Sequence, residues 1–417
     1  MSWLRGAGIF LLTVLMLSLA AGGFGAAAES SKAGVEVYKG IWMPALVKEA
    51  LYGQRFHSMS DVETLKEDGV NTIGFVVPVT VNRDGSIDVE SFHIYLEVAK
   101  KIILRYHEAG FKIFLTIEVS YGGEGEPVPV PKSIVETPGF IEEYDSLVLE
   151  VAQVAEEYGV ELFAPTLEPD YYLGGVDFAA KWCKKILPKV REEYKGKLMV
   201  RLAFQEIALQ DLDFNIEGYD VLGICIYPFE DCKVSRDRVK LFIDKALKLA
   251  SKYGVPQVTT EFGVWGRALR SSLSEEVLAE AHRVVFEEGE GKLAGFFVFD
   301  PPFPRYWRLK GSLAELVIRE WYTEKLPEAE GETLPGGEAE SSVEGGEPEE
   351  KAFKPKFKFK PVDLTGNGKV DLEDLKELKK VYGLTVERPD FRPEADFNDD
   401  GKIDIVDLAI LASQYGK

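Results

Sequence analysis

Eight times along the middle of the chain an apolar run rich in β-branched and aromatic residues is followed by an amphipathic helical pattern, and this alternation limits the possible folds most. The runs are GIWMPAL (residues 40–46), NTIGFVVPVTV (71–81), FKIFLTIEVSY, ELFAPTLEPDYY, KLMVRLAFQE, YDVLGICIYPF, PQVTTEFGVWG and LAGFFVFDPPF. Between them lie helix patterns such as MSDVETLKEDG, with Ser60 the expected N-cap and Gly69 the stop, and RDRVKLFIDKALKLASKYG, closing at Gly254. Strands that alternate with helices pair in parallel, so eight such units over about 250 residues predict an α/β fold, the (β/α)8 TIM barrel. A doubly wound sheet is the alternative.

With 417 residues, 46% of them hydrophobic, the chain has material for one large core and a smaller module. Its net charge of −21 opposes binding to nucleic acid or to an anionic membrane surface, because both are negative themselves. The N-terminus, MSWLRGAGIFLLTVLMLSLAAGGFGAAAES, has Arg5 before an apolar stretch from Ile9 to Ala20 and small residues at Ala26, Ala27 and Ala28. That is the pattern of a secretory signal peptide over residues 1–28; a membrane anchor is the alternative, but the stretch falls short of the roughly 20 residues a span needs. The mature chain is therefore expected outside the cell, secreted or attached to its surface, with no membrane span. Cys183, Cys225 and Cys232 are too few for a disulfide framework, and Cys225 with Cys232 is the candidate bridge, whose geometry a sequence does not show.

In a TIM barrel the C-terminal ends of the strands form the rim on which sites are built. Glu168 ends the fourth run and Glu261 the seventh, each with aromatic neighbours. Carboxyl groups about 5–5.5 Å apart across such a mouth suit retaining glycoside hydrolysis, in which one protonates the leaving oxygen and the other attacks the anomeric carbon. A lone Glu at a strand end is otherwise a solvated loop residue. Glu118 and Glu206, ending the third and fifth runs, are read as supporting polar groups. Trp42, Tyr172, Trp265 and Trp307 fall near strand ends, where rings either stack on sugar faces or fill the rim. No G-x-S-x-G elbow, P-loop or dinucleotide fingerprint occurs, so no cofactor is expected for catalysis. His57, His93, His107 and His282 are scattered without metal-ligand spacing. His107, in the last turn of a helix, reads as structural, and for His57, in the loop after the first strand, the sequence does not decide between a structural role and a contact with substrate.

Glu168 followed by Pro169, together with Glu261, resembles the clan A retaining glycosidases, whose acid/base ends strand four, often as Asn-Glu-Pro, and whose nucleophile ends strand seven. The resemblance covers Val35 to about Glu324. It implies Glu168 as acid/base, Glu261 as nucleophile and Tyr227 of IYPF as the tyrosine that hydrogen-bonds the nucleophile. YKGIWMPAL and LKEDGVNTIGF look most like the β-mannanase branch, which implies endo action on β-mannan or a related β-1,4-glycan. Two departures stand out: Leu167 replaces the usual Asn, and FVFDPPF replaces the usual strand-eight tryptophan, leaving Trp307 or a neighbour as sugar platform. They keep open a catalytically silent barrel for carbohydrate binding or assembly; a hydrolase of β-glucan or a glycoconjugate is the second alternative.

The expected organisation is a signal peptide (1–28), the barrel (33–324), a Pro/Gly/Glu- and then Lys-rich flexible linker (325–361) and a small module (362–417). The module carries two copies of one pattern, DLTGNGKVDLED (363–374) and DFNDDGKIDIVD (396–407), each followed by a helical stretch. A calcium ion takes six to eight oxygens, and a loop with acceptors at positions 1, 3, 5, 9 and 12, a carbonyl at 7 and Gly at 6 supplies them. The candidate ligands are Asp363, Thr365, Asn367, Lys369, Asp371 and Asp374 around Gly368, and Asp396, Asn398, Asp400, Lys402, Asp404 and Asp407 around Gly401. A pair of Asn/Asp-rich turns without metal is the alternative. Aspartate at position 12, where an EF-hand has glutamate, and the duplicated loop-plus-helix layout resemble a dockerin. That resemblance implies an all-α module with two calcium ions that docks a cohesin-bearing protein or cell-surface component.

Overall fold

The computed structural model describes residues 37–53, 56–122, 128–230, 232–264, 273–302, 308–326, 363–386, 388, 390–397, 403, 407 and 411. The strands are β1 (Tyr38–Trp42), β2 (Thr72–Val81), β3 (Lys112–Tyr121), β4 (Leu162–Ala164), β5 (Lys197–Leu202), β6 (Val221–Ile226), β7 (Phe229–Glu230), β8 (Lys233–Val234), β9 (Gln257–Phe262) and β10 (Gly295–Phe299). Eight of them close a barrel in the order β1-β10-β9-β6-β5-β4-β3-β2, every pairing parallel. The chain is thus a TIM barrel, and β4 and β9 are its fourth and seventh strands. β7 and β8 form a short hairpin on the loop after the sixth.

Parallel strands under a ring of helices are buried on both faces, so their sequences read as unbroken apolar runs. β1, β6, β9 and β10 have no exposed residue at all. Caps set the helix ends: the Arg236–Tyr253 helix stops at the left-handed Gly254 as the sequence predicts, and Ser235 caps its start. The Val62–Glu67 helix starts one residue later than expected, because the Asp61 carboxylate accepts from Thr64 N. Ser60 instead donates its hydroxyl to Glu49 Oε1 at 2.7 Å.

The barrel seam joins β1 to β10, and Tyr322 locks it by donating its hydroxyl to Gly40 O and Phe296 O, each at 2.8 Å. Tyr322 belongs to a π-helical turn, Trp321–Lys325, and Leu326 beyond it is buried, so the barrel's packing runs to residue 326. Inside the barrel Trp42 packs against Gly74, where a β-carbon would meet the indole at 2.7 Å. The three cysteines are free: Cys183 and Cys225 are buried and Cys232 is exposed. The candidate Cys225–Cys232 bridge, which the sequence left open, is absent, since Cys225 turns its thiol toward Glu168 while Cys232 is exposed between β7 and β8.

The C-terminal residues build a separate small core from Val370, Leu378, Val381, Ala395, Phe397, Ile403 and Leu411, with one described helix, Leu372–Val381. Residues 1–36 and 327–362, which carry the expected signal peptide and most of the linker, lie outside the described residues. Among the described residues no helix is long and apolar enough to cross a membrane.

Candidate active site

Glu261 owes its orientation to an irregularity in β9. Ile224 of β6 pairs with Thr259 and Cys225 with Glu261, so Thr260 is an extra residue, and the pairing with β10 slips at the same place. A β-bulge of this kind re-aims side chains. Its consequence is that two consecutive residues, Thr260 and Glu261, meet the same side chain: Arg201 of β5 donates from Nε to Thr260 Oγ1 at 3.1 Å and from Nη2 to Glu261 Oε2 at 2.9 Å. Arg201 is wholly buried, its guanidinium carbon 3.8 Å from the centre of the Trp42 ring. The other oxygen of Glu261 accepts from the Tyr227 hydroxyl at 2.8 Å.

Glu168 is held differently. β4 ends at Ala164, and the chain reaches Glu168 with φ 44, a left-handed conformation that costs a non-glycine residue of order 1–3 kcal/mol and collects at functional sites. Its carbonyl accepts from Tyr171 N and Tyr172 N, each at 2.9 Å, starting the one-turn helix Pro169–Tyr172. Asp170 ties this turn to the end of β5 by accepting from Ala203 N and Phe204 N, both at 2.9 Å. The side chain of Glu168 accepts the Cys225 thiol on Oε1 at 2.8 Å, and Arg201 Nη2 stands 3.9 Å from the same oxygen. One oxygen of Glu168, one of Glu261 and the sulfur of Cys225 all lie within 4.8 Å of one another.

These surroundings divide the two acids. Burial pushes Glu168 up to about 7, with the charges of Glu261 and Asp170 adding to the rise and Arg201 and the Cys225 thiol opposing it. Glu261 has the short guanidinium contact that favours an ionised carboxylate. Arg201 stays a cation in spite of its burial. Tyr227 remains a phenol, pushed well above its ordinary value by burial and by the charge of Glu261. The two environments push the acids apart, Glu168 toward its protonated form and Glu261 toward an ion pair with Arg201, the separation of roles that acid and nucleophile chemistry uses.

Other expected site residues fall in different places. Glu118 lies within β3, half-buried and raised to about 7 by burial, with Lys48 and Arg201 opposing and Glu261 adding, so it belongs to the same cluster. Glu206 faces solvent on the Gln205–Gln210 helix, bonded to Gln210. Trp42 is fully buried and forms the floor under Arg201, with no face open to a sugar. Tyr172 is buried too, its phenol raised by burial and by Glu168, Glu118 and Glu261, while its neighbour Tyr171 is 54% exposed. Trp265 and Trp307 lie outside the described residues. His57 is wholly buried against Glu49, its Nδ1 3.0 Å from Oε2, and His107 meets Glu161 at 3.1 Å. Leu167, in the position of the usual Asn, is buried in the core. Arg201 and the Cys225 thiol were not anticipated as site groups. The signal for Arg201 is a cation inside the apolar run KLMVRL, where a parallel strand has no solvent face to give it.

The first C-terminal loop gathers oxygens as a hard divalent cation requires. Thr365 Oγ1 lies 3.2 Å from Asp363 Oδ1 and 3.1 Å from Asp374 Oδ1, so positions 1, 3 and 12 of the first loop converge. Gly368 has φ 81, the conformation that position 6 demands. Asp371 caps the following helix, accepting from Glu373 N at 2.8 Å. In the second loop Asp396 and Asp407 are buried, and Asp407 Oδ1 accepts from Phe397 N at 2.6 Å. Asn398, Asp400, Lys402 and Asp404 lie outside the described residues. This oxygen donor set fits calcium.

The molecule is therefore a TIM barrel with a buried carboxylate pair at the C-terminal mouth of its strands, followed by a module with two acidic loops. The comparisons with known proteins agree on the barrel and on the C-terminal module. A family model described as the dockerin type I domain matches residues 361–414, and that segment is a dockerin. No curated protein matches the chain. Solved structures resemble the barrel: a GH113 β-1,4-mannanase, 17% identical, covers 70% of this chain and 100% of its own with a TM-score of 0.53. The GH113 β-mannanase of Alicyclobacillus acidocaldarius in complex with ManMIm is 16% identical over 69% of this chain and 97% of its own, TM-score 0.52. The Ignisphaera aggregans GH53 catalytic domain is 16% identical over 70% and 97%, TM-score 0.50. At such identities the likeness is one of fold.

Proposed function

We propose that the barrel is a retaining glycoside hydrolase that cleaves β-linked polysaccharide, with Glu168 as acid/base and Glu261 as nucleophile. The observation that carries this reading is the carboxylate pair itself, with oxygens within 4.8 Å. Oxygens that close suit attack by one acid on the anomeric carbon while the other reaches the glycosidic oxygen, as in a retaining reaction. Glu168, which burial holds well above the ordinary carboxylate range, gives its proton to the leaving oxygen as the glycosidic bond breaks. Glu261, oriented by Tyr227 and Arg201, forms an ester to the anomeric carbon. Glu168, now a carboxylate, takes a proton from water, whose oxygen attacks the same carbon and releases Glu261. Net retention follows from two inversions.

The substrate we favour is β-mannan or a related β-1,4-glycan cleaved within the chain, supported by the opening YKGIWMPAL and by the mannanases among the structural neighbours. β-Glucan or a glycoconjugate is the next substrate class. Leu167 keeps a silent, carbohydrate-binding barrel as the second reading, because its buried side chain offers no hydrogen bond to a sugar hydroxyl. The chain is secreted through residues 1–28, and its dockerin holds two calcium ions, one in each loop, and docks a cohesin-bearing partner. Calcium there supplies folding energy and takes no part in hydrolysis. Product release from soluble β-mannan, β-galactan and β-glucan by wild type and Glu261→Ala tests the enzyme reading. Turnover by wild type alone supports it, and no turnover of any polymer, with binding retained, overturns it in favour of the silent barrel.

A further inference from the structure

The two oxygens of Glu168 are not equivalent. Oε1 receives the Cys225 thiol at 2.8 Å and faces Arg201 Nη2 at 3.9 Å, whereas Oε2 has no partner among the described residues. Cys225 is itself fixed: it is 1% exposed, sits on β6 opposite Glu261, and has Thr260 Oγ1 at 3.8 Å and Arg201 Nη2 at 3.9 Å from its sulfur. We propose that Cys225 is a positioning residue whose thiol, by donating to Oε1, orients the Glu168 carboxyl so that its transferable proton resides on Oε2. The proposal rests on the reading of Glu168 as acid/base.

The reasoning is one of donor against donor. A proton on Oε1 would point at the S–H of Cys225 and the N–H of Arg201, both of which need an acceptor there. On Oε2 it meets neither. The thiol is kept neutral, its value pushed well up by burial and by the nearby charge of Glu168, so it remains a donor throughout the working range. The other groups around Glu168 are Arg201 from β5, Glu261 from β9, Glu118 from β3, Asp170 and Tyr172 from its own turn, and Tyr227 after β6. Among the described residues Cys225 alone lies within hydrogen-bond distance of its carboxyl. A hydrogen bond to the ionised form lowers an acid's pKa, so losing the thiol moves Glu168 upward and replacing it by another donor does not. Cysteine to serine retains a donor at this position, and cysteine to alanine removes it.

The test is a carboxyl-carbon NMR titration of the full chain labelled in glutamate, with Glu168→Gln assigning the resonance and near-ultraviolet circular dichroism checking the fold. Cys225→Ala should raise the titration midpoint of Glu168 by about half a unit to one unit, and Cys225→Ser should leave it in place or lower it. Cys225→Val supplies the donor-free arm should the alanine variant fail to fold. In turnover the alkaline limb of kcat/KM should move by the same amount, with KM nearly unchanged. An unmoved midpoint in the donor-free variant, or equal upward shifts in the serine and donor-free variants, would overturn the proposal. The NMR shift without hydrolysis of any polymer would instead overturn the hydrolase reading and leave the contact standing.

Discussion

Replacing Arg201 by methionine is the perturbation to which the site should respond most. The guanidinium is wholly buried and 2.9 Å from Glu261 Oε2. At an effective dielectric constant of about 20, unit charges at that separation attract by roughly 6 kcal/mol. Removing one partner of a buried pair typically costs about 3–5 kcal/mol, because the remaining charge relaxes, hydrates or takes up a proton. Methionine keeps apolar length over Trp42, so the change removes charge more than volume. If Glu261 must be ionised to attack, this loss falls on the transition state, and kcat/KM should drop between about a hundredfold and a few thousandfold. KM should change less than kcat, since Arg201 faces the carboxylates from below. Arg201→Lys keeps the charge but loses the fork that serves Thr260 and Glu261 together, and should fall in between. The assay is initial rates on the polymer that wild type hydrolyses, with circular dichroism to confirm the fold. A folded Arg201→Met variant within threefold of wild type would refute the reasoning.

Tyr227→Phe removes a hydrogen bond to Glu261 and should lower kcat/KM about tenfold to a hundredfold, read from initial rates. Because Glu168 is raised to about 7 and must be protonated to act as acid, kcat/KM should fall as pH rises through about 7, and a pH–rate profile flat to pH 9 would contradict the assignment. Residues 362–417 should gain helix on calcium titration by circular dichroism and lose it in chelator, with Asp396→Ala weakening binding more than Asp363→Ala, since the second loop has Asp400 where the first has the neutral Asn367.

The barrel was legible because its strands are buried on both faces, so eight apolar runs stood out against polar helix patterns. The acids were legible by strand ordinal. What sequence did not disclose is which residues of a fully buried strand point inward. Trp42 closes β1, in which every residue is buried, and nothing in YKGIW separates a rim platform from the floor it forms. The bulge at Thr260 depends on how β6 and β10 pair with β9, which no residue of QVTTEF announces. Cys225 was read for a partner in sequence, Cys232, and its partner is Glu168, 57 residues away in the chain. Arg201 was visible in the run KLMVRL, and a charge that no solvent face can explain is the signal to look for in such strands.

The most direct measurement of the central claim is covalent trapping. A glycosyl donor with fluorine at C2 and a good leaving group forms the ester with the nucleophile quickly and hydrolyses slowly, because the fluorine destabilises the oxocarbenium-like transition state of both steps and the leaving group offsets this only in the first. Manno-, gluco- and galacto-configured donors should be incubated with the full chain, and the proteolysed product read by mass spectrometry. The account predicts one adduct per chain, on the peptide bearing Glu261, and none in Glu261→Ala. An adduct on another carboxylate, or turnover of polymer with an inverted anomer and no adduct from any donor, would contradict it.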